Sequence, residues 1–373
     1  MLSSSLKLTL SSLLVGFLAF FSSAMPAHAT ANTWVPQTSA ADIDWRSVTF
    51  GNGLFVAVAV DGAPQQIMTS PDGISWTSRT TPVDNEWSSV TFGAGLFVAV
   101  SSGGFVSNKV MTSPDGITWT IRTGQDGAWK SVTYANGLFV AVGTASGALR
   151  VMTSPDGVNW TGRTAPAIDW RAVTYGNGLF VAVGDSQTSI SSPDGITWTS
   201  ASASNFDSKS VVFGNGTFVA VGDDSTDQVM TSTNGISWTT RASAASNNWT
   251  SVTYGNSQFV AVSKSGTGNR VMTSSDGTTW ASETSAADNQ WQSVTYANGL
   301  FVAVSNSGTN NRVMTTGTYT PPAPPAPQPD PSSNELAATG VNDEAIAQLL
   351  ILGGTLIALG TVSLLIRRKT KEP

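Results

Sequence analysis

The sequence predicts an all-β fold, a β-propeller with seven four-stranded blades, because one unit of about 40 residues occurs seven times. Within each unit, four short runs rich in β-branched and aromatic residues are separated by tight turns such as Asn-Gly and Pro-Asp-Gly. The units align on Val48, Val90, Val132, Val173, Val211, Val252 and Val294. Successive copies are offset by 42, 42, 41, 38, 41 and 42 residues, a spacing typical of propeller blades.

Two recurring tryptophan positions predict that the units close into a ring. The first position precedes the innermost strand and is occupied by Trp45, Trp87, Trp129, Trp170, Trp249 and Trp291, with Ser208 in the fifth unit. The second follows the third strand and is occupied by Trp76, Trp119, Trp160, Trp198, Trp238 and Trp280. The seventh unit lacks the second tryptophan, whereas Trp34 precedes Trp45 by 11 residues, as Trp76 precedes Trp87. We therefore expect the segment around Trp34 to complete the seventh blade beside Val294, Leu300 and Val313, which removes exposed sheet edges.

Residues 1–29 have the layout of a secretory signal peptide, and the propeller is predicted over residues 30–316. Lys7 precedes an apolar stretch over residues 13–21, and Ala27-His28-Ala29 is an A-x-A cleavage pattern. Cleavage is expected after Ala29. The alternative is a retained N-terminal membrane anchor, which the shortness of the apolar stretch disfavours.

Four further segments follow the predicted propeller. Residues 317–335 are rich in proline and predict an extended, stiff stalk. Residues 336–340 read Leu336-Ala337-Ala338-Thr339-Gly340. Residues 346–366 are apolar and long enough for a transmembrane helix, and the basic tail at 367–373 would remain in the cytoplasm.

This order of segments resembles the cell-wall sorting signal of Gram-positive surface proteins. Ala337 stands where the common form has proline, as in the Leu-Ala-x-Thr-Gly variant used by sortases of many actinobacteria. The resemblance implies that a housekeeping-type sortase cuts between Thr339 and Gly340 and joins the Thr339 carboxyl to an amine of the peptidoglycan cross-bridge through an acyl-enzyme. The alternative is a single-pass membrane anchor that is never cut.

The composition argues against several classes of function. The net charge of −6 disfavours nucleic acid, which binds basic surfaces. The chain has no cysteine, and its one histidine, His28, lies in the predicted leader. The exported protein would then lack imidazole bases, thiol nucleophiles and the usual zinc or copper ligands. We expect no metal and no cofactor.

One repeated segment resembles the Asp-box of sialidase-like propellers. Residues 112–119 read Thr-Ser-Pro-Asp-Gly-Ile-Thr-Trp, and they depart from the family pattern by one residue because Asp115 and Gly116 are adjacent. The aspartates of the repeated motif are Asp72, Asp115, Asp156, Asp194 and Asp276, with Asn234 in the fifth unit. The resemblance implies a structural turn in which the carboxylate caps the turn and the tryptophan packs beneath it. Calcium binding is the alternative.

The same resemblance raises the possibility of a surface-anchored glycoside hydrolase. That chemistry would need a tyrosine nucleophile, an acid partner and an arginine cluster at positions that break the repeat. The nine arginines of residues 30–316 instead recur at equivalent positions of the units: Arg46, Arg79, Arg122, Arg150, Arg163, Arg171, Arg241, Arg270 and Arg312. We recognise no catalytic residues and expect no enzymatic activity.

The predicted recognition surface lies where the units differ most. The connection between the second and third strands varies in length and content, whereas the other turns are nearly the same in every unit. In propellers this connection shares a face with the start of the innermost strands, beside Trp45, Trp87, Trp129, Trp170, Trp249 and Trp291. We therefore predict a binding or adhesion module for an extracellular glycan or protein. The tryptophans themselves are expected to pack between and along the blades rather than to form a ligand platform. The alternatives to a binding module are that these loops are merely unconstrained and that the chain is a structural surface protein without a discrete ligand.

Overall fold

The computed structural model describes residues 33–104, 109–144, 149–185, 188–202, 207–223 and 228–321, which form a β-propeller. Seven antiparallel sheets of four strands each make up the blades. This confirms the predicted all-β class, the seven blades and the four strands in each blade.

Each of the first six blades is formed by four consecutive strands, numbered outward from the innermost. Blades 1 and 2 contain β2 Trp45–Gly51, β3 Leu54–Ala59, β4 Ile67–Ser70, β5 Thr77–Arg79, β6 Trp87–Gly93, β7 Leu96–Ser101, β8 Val110–Ser113 and β9 Thr120–Arg122. Blades 3 and 4 contain β10 Ala128–Ala135, β11 Leu138–Thr144, β12 Leu149–Ser154, β13 Thr161–Thr164, β14 Trp170–Gly176, β15 Leu179–Gly184, β16 Thr188–Ser192 and β17 Thr199–Ser202. Blades 5 and 6 contain β18 Ser208–Gly214, β19 Thr217–Gly222, β20 Val229–Ser232, β21 Thr239–Arg241, β22 Trp249–Gly255, β23 Gln258–Ser263, β24 Val271–Ser274 and β25 Ala281–Glu283.

The seventh blade joins the two ends of the ring. It contains β26 Trp291–Ala297, β27 Leu300–Ser305, β28 Val313–Gly317 and β1 Val35–Gln37, in the order β1-β28-β27-β26. Val35 pairs with Thr315 and Gln37 pairs with Val313. Trp34, only 5% exposed, packs with Trp291 and other residues of the sixth and seventh blades. The N-terminal strand therefore closes the ring, as the position of Trp34 predicts.

The hydrophobic core lies between neighbouring blades. The second strand of each blade is an apolar run that is buried on both faces, because each blade packs against a neighbour on either side. Val56 and Val58 of the first blade, for example, pack with Val90 and Phe97 of the second. The apolar layers repeat around the ring, so every blade contributes to two parts of the core.

Tight turns join the first and second strands on one face of the ring, the turn face. The two central residues of each turn have positive φ; Asn52 and Gly53 have φ of 46° and 77°. This is the conformation of type I′ hairpin turns, for which Asn-Gly is the preferred pair. Ala94 and Ser257 occupy the same conformation with φ of 49° and 59°, which shows that the ring imposes the turn even on less suitable residues.

The innermost strands are linked across blade boundaries by serine hydroxyls. In six of the seven boundaries a valine N–H donates to a serine Oγ of the preceding blade at 3.1–3.3 Å. The donor and acceptor pairs are Val90 and Ser47, Val132 and Ser89, Val173 and Ser131, Val252 and Ser210, Val294 and Ser251, and Val48 and Ser293. Between the fourth and fifth blades Ala172 stands in the serine position and offers Val211 no hydroxyl. We call this set of bonds the axial seam.

The chain leaves the propeller on the turn face. The Tyr319 hydroxyl donates to the carbonyl of Pro71 at 2.8 Å, and the Thr320 N–H donates to the carbonyl of Asn298 at 2.6 Å. Both acceptors belong to turns on that face. The segments predicted as signal peptide, sorting motif (336–340), transmembrane helix (346–366) and basic tail all lie outside the described residues, as does all but the beginning of the predicted stalk. Within the described ranges no helix is long and apolar enough to cross a membrane.

We expect Trp34→Ala to open the ring at the seventh blade. Removing a buried tryptophan costs about 3–5 kcal/mol of unfolding free energy, and here it also releases the strand that closes the ring. Hydrogen exchange measured by mass spectrometry should show faster exchange in β28 than in the other third strands. Trp160→Ala removes a tryptophan of similar exposure (7%) from within a continuous blade and is the control. Unchanged protection of β28 in Trp34→Ala would contradict closure by the N-terminal strand.

The axial seam predicts that removing one seam hydroxyl lowers the unfolding free energy and that adding the missing one raises it. Ser293→Ala removes the axial-seam bond between the seventh blade and the first and should lower the unfolding free energy by about 1 kcal/mol. Ala172→Ser supplies the missing acceptor and should raise it by up to about 1 kcal/mol. Urea unfolding at equilibrium measures both. Equal destabilisation by the two changes would contradict a stabilising role of the seam bonds.

Candidate functional site: an axial basic depression

Each innermost strand carries a β-bulge at the residue after the first tryptophan position. In the first blade Trp45 pairs with Ala59 and Ser47 with Val58, so Arg46 is the extra residue. The same irregularity occurs in all seven blades, and a bulge redirects the side chain of the extra residue. The seven bulged residues are Arg46, Ser88, Lys130, Arg171, Lys209, Thr250 and Gln292. We call the side of the ring that carries them the bulge face; it is opposite the turn face.

Five of the bulged residues line one depression of about 550 Å³. Its lining residues come from five different blades, which places the depression at the axis of the ring. They are Arg46, Val60, Glu86, Ser88, Ser102, Lys130, Arg171 and Lys209. Four of these eight residues are basic and one is acidic, although the chain as a whole has a net charge of −6. The repeat thus brings four basic side chains together at the axis of an acidic protein.

Most of the basic groups in the axial depression are held by acidic or polar neighbours. Arg171 donates from Nε to both carboxylate oxygens of Asp185 at 3.1 Å, and from Nη2 to Asp185 Oδ2. Burial alone would raise the pKa of Asp185, but these bonds and the charge of Arg171 outweigh it and lower that pKa. The Lys209 ammonium lies 3.5 Å from Asp185 Oδ1 and 3.3 Å from Asp223 Oδ1. Arg46 donates to Asp44 and to Gln292, at 3.2 Å in each case.

Lys130 differs from the other three cations. Its side chain is half-buried, and among the described residues its ammonium group has neither an ion pair nor a hydrogen bond. Burial lowers the pKa of Lys130, and the nearby positive charges of Arg171 and Arg46 lower it further, while Glu86 acts in the opposite direction. The depression therefore contains one cation without a partner among residues that are already paired.

The tryptophans predicted to border the recognition surface do not reach it. Trp45, Trp87, Trp129, Trp170, Trp249 and Trp291 are all 0% exposed. Five of their indole N–H groups donate to the carbonyl four residues earlier; that of Trp129, for instance, donates to Gln125 at 2.8 Å. Their rings fill the core beneath the bulge face, and the face beside them stays the predicted recognition surface. Packing between and along the blades, which the sequence favours for a recurring tryptophan, is the role observed.

The predicted face nevertheless carries the depression. The residues that follow the second strands, Val60 and Ser102, line it together with the bulged residues. Several of the variable connections between the second and third strands, at 105–108, 145–148, 186–187 and 224–227, lie outside the described residues. Sequence reasoning missed Lys130, Lys209 and Glu86 altogether, and it regarded Arg46 and Arg171 as merely repetitive.

The Asp-box-like segments form structural turns on the turn face. Asp115 Oδ1 accepts hydrogen bonds from the N–H groups of Ile117 and Thr118 at 2.9 and 2.8 Å and from the Ser113 hydroxyl at 2.8 Å. The Trp119 indole donates to the carbonyl of Gly116 at 3.0 Å. Corresponding carboxylate bonds occur at Asp72, Asp156, Asp194 and Asp276, and Asn234 Oδ1 replaces them in the fifth blade.

These turn bonds favour the ionised carboxylates. Backbone hydrogen bonds from Thr118 and Ile117 hold the pKa of Asp115 below its usual range. At Asp276 burial opposes ionisation, but hydrogen bonds from Thr279 and Thr278 outweigh it and lower the pKa to about 2.

Four of the repeated arginines make the same contact, each within its own blade. Each donates from Nε to a threonine hydroxyl on the adjacent third strand at 2.9–3.2 Å. The four are Arg79, Arg122, Arg163 and Arg241. They brace the outer strands and lie away from the axial depression.

Comparisons with known proteins identify the fold and no family. No protein-family model and no curated protein matches the chain. Among solved structures, the chain is similar to YCF48 bound to a D1 peptide, with 14% identity, a TM-score of 0.58, and coverage of 78% of this chain and 97% of that one. It is also similar to YCF48 from Cyanidioschyzon merolae (15% identity, TM-score 0.56, coverage 77% and 98%). The computationally designed protein Ika8 is a further match (8% identity, TM-score 0.52, coverage 76% and 100%). At these identities the likeness shows a shared fold alone.

The turn carboxylates predict how acid destabilises the protein. An unfolded aspartate has a pKa of about 3.9, so the stability gained from a lowered native pKa is present above about pH 4 and is lost as the pH falls toward the native value. Asp115→Asn keeps the oxygen that accepts the three bonds, as Asn234 does naturally, and should lose less stability than the wild type between about pH 4 and 2. Asp115→Ala removes the bonds and should cost about 1 kcal/mol at pH 7. Urea unfolding at pH 7 and pH 3 tests both variants. A steeper acid dependence for Asp115→Asn would contradict the account.

Proposed function

We propose that the chain is a cell-surface binding or adhesion module that recognises its ligand in the axial depression on the bulge face. The observation that carries this proposal is the concentration of basic side chains from several blades in one concave site. A polar depression of about 550 Å³ has a size suited to a small ligand or the end of a larger one.

The direction in which the chain leaves the ring supports surface display. Tyr319 and Thr320 lie against the turn face, while Lys130 and Arg171 lie on the bulge face. A tether that begins on the turn face leaves the opposite face free to meet an extracellular ligand. We propose that this tether is the proline-rich stalk and that a sortase joins it to the cell wall of a Gram-positive bacterium at Thr339.

Two other functions are separable by experiment. A surface-anchored glycoside hydrolase would turn over its substrate, and a purely structural surface protein would bind no discrete ligand. YCF48, a protein of similar fold, is solved bound to a D1 peptide, so peptides belong among the ligands to be tested beside glycans.

Binding is tested with glycan and peptide arrays probed with the exported protein, together with fluorogenic glycosides. We expect at least one class of array ligand to bind and no glycoside to be cleaved. The double variant Arg171→Gln and Lys209→Gln removes two cations from the depression and should weaken that binding. Asp185 and Asp223 would lose these partners, so thermal unfolding of the variant is measured alongside. Robust turnover would replace the binding proposal with an enzymatic one, and silence on the arrays would favour the structural one.

The tether is tested by mass spectrometry of the protein released from purified cell walls. We expect a C-terminal peptide that ends at Thr339 and carries a cross-bridge fragment. The variant Thr339→Ala should leave the protein in the membrane fraction. A wall-associated protein that retains Lys371 would contradict the sortase proposal and favour a plain membrane anchor.

A further inference from the structure

The charge balance of the axial depression indicates which group meets the ligand. Arg171 is engaged by both oxygens of Asp185, and Lys209 lies between Asp185 and Asp223. Arg46 is held by Asp44 and by Gln292. Of the four lining cations, Lys130 is the one whose charged group has no ion pair and no hydrogen bond in the described part of the chain.

An unpartnered, half-buried ammonium is unfavourable unless an anion neutralises it. Burial removes water from the charge, and the cations of Arg171 and Arg46 repel it; together these effects outweigh the attraction of Glu86 and Asp169, so the pKa of Lys130 is lowered. An anionic group beside Lys130 would relieve both costs. The ammonium is a compact charge that suits a single oxygen. The Arg171 fork is already engaged by both oxygens of Asp185, and Arg46 already donates to Asp44 and to Gln292.

The rest of the lining suits a ligand rich in hydroxyl groups. The Ser102 hydroxyl donates to Glu86 Oε2 at 3.3 Å, and that carboxylate has further lone pairs for hydroxyl donors. The Ser88 hydroxyl donates to the carbonyl of Trp129 at 2.6 Å and can still accept. Val60 is the only apolar residue that lines the depression within the described ranges. A peptide end offers few hydroxyls and would call for apolar contacts, so this lining favours sugar over peptide.

From these observations we propose that the axial depression binds a glycan that carries an oxyanion, with Lys130 contacting the anionic group and Glu86 accepting from sugar hydroxyls. This assignment rests on the proposed function and narrows it to one class of ligand. The shared chemistry is a single oxyanion on a polyhydroxylated ring, whether that oxyanion is a carboxylate, a phosphate or a sulfate.

The test compares matched oligosaccharides by isothermal titration calorimetry with the full chain in mild detergent. The probes are oligosaccharides that end in glucuronic acid, glucose 6-phosphate, glucose 6-sulfate or glucose, and a tetrapeptide with a free carboxylate. We expect at least one charged oligosaccharide to bind about tenfold or more tightly than the neutral one, and its affinity to fall as salt is raised.

Variants of one residue then locate the contact. Lys130→Gln should weaken binding of the charged oligosaccharide about tenfold or more, to an affinity close to that of the neutral one. Lys130→Arg keeps the charge and should retain part of the preference for the charged oligosaccharide over the neutral one. Arg79→Gln removes a cation of the outer strands, away from the depression, and should leave the affinity unchanged. Because Lys130 has no partner to lose, the thermal midpoint of Lys130→Gln should stay within about 2 °C of the wild type.

Each outcome separates this inference from the broader proposal. If charged and neutral oligosaccharides bind equally, or if Lys130→Gln binds as tightly as the wild type, the assignment is overturned while the binding function stands. If only the tetrapeptide binds, the ligand class is wrong and the depression recognises peptides. If none of the probes binds and the arrays are also silent, both proposals fail.

Discussion

The inner edge of each blade is the constraint on which the architecture depends. A sheet whose first strand faces the axis has one row of backbone groups without a partner strand, and buried N–H groups need acceptors. Serine hydroxyls meet this need at six of the seven boundaries, where each accepts from a valine of the next blade. The bond from Val48 to Ser293 joins the innermost strands of the first and last blades and closes the seam. At the outer edge of the last blade, the N-terminal strand supplies the fourth strand.

The candidate site arises from the same strands. The bulge lies one residue before the seam serine position, and the bulged residue faces the axis while the tryptophan before it is buried. The scaffold therefore fixes the location of seven side chains but not their identity. Arginine or lysine in four blades, and serine, threonine or glutamine in the other three, turn a symmetric ring into a site with an uneven charge. Neighbouring bulged residues also contact each other, as Arg46 and Gln292 do.

The sequence was sufficient to predict the blades and their closure, because both depend on regular spacing. Trp34 stands at the same distance from Trp45 as Trp76 does from Trp87, and a blade of four strands requires that equivalence. The depression could not be read in the same way. Its residues are about 40 positions apart in the chain, and only ring closure brings them together.

The repeat also concealed the site. Arg46 and Arg171 recur at an equivalent position, which in an open array would keep them apart and indicate a structural role. In a closed ring the innermost position converges on the axis, so the same recurrence produces a cluster. Comparing the seven residues that follow the first tryptophan position would have shown the four basic ones. The burial of Trp45 and its equivalents was easier to predict, because a tryptophan that recurs from blade to blade packs in the core more often than it contacts a ligand.

The central claim is that the inner edges meet at the axis and are satisfied by the preceding blade. Amide hydrogen exchange followed by NMR tests it most directly, since seven equivalent valines can be compared within one protein. The amides of Val48, Val90, Val132, Val173, Val252 and Val294 should exchange slowly, and that of Val211, which faces Ala172, should exchange faster. Equal protection of Val211 and the other six, or fast exchange of all seven, would contradict the account.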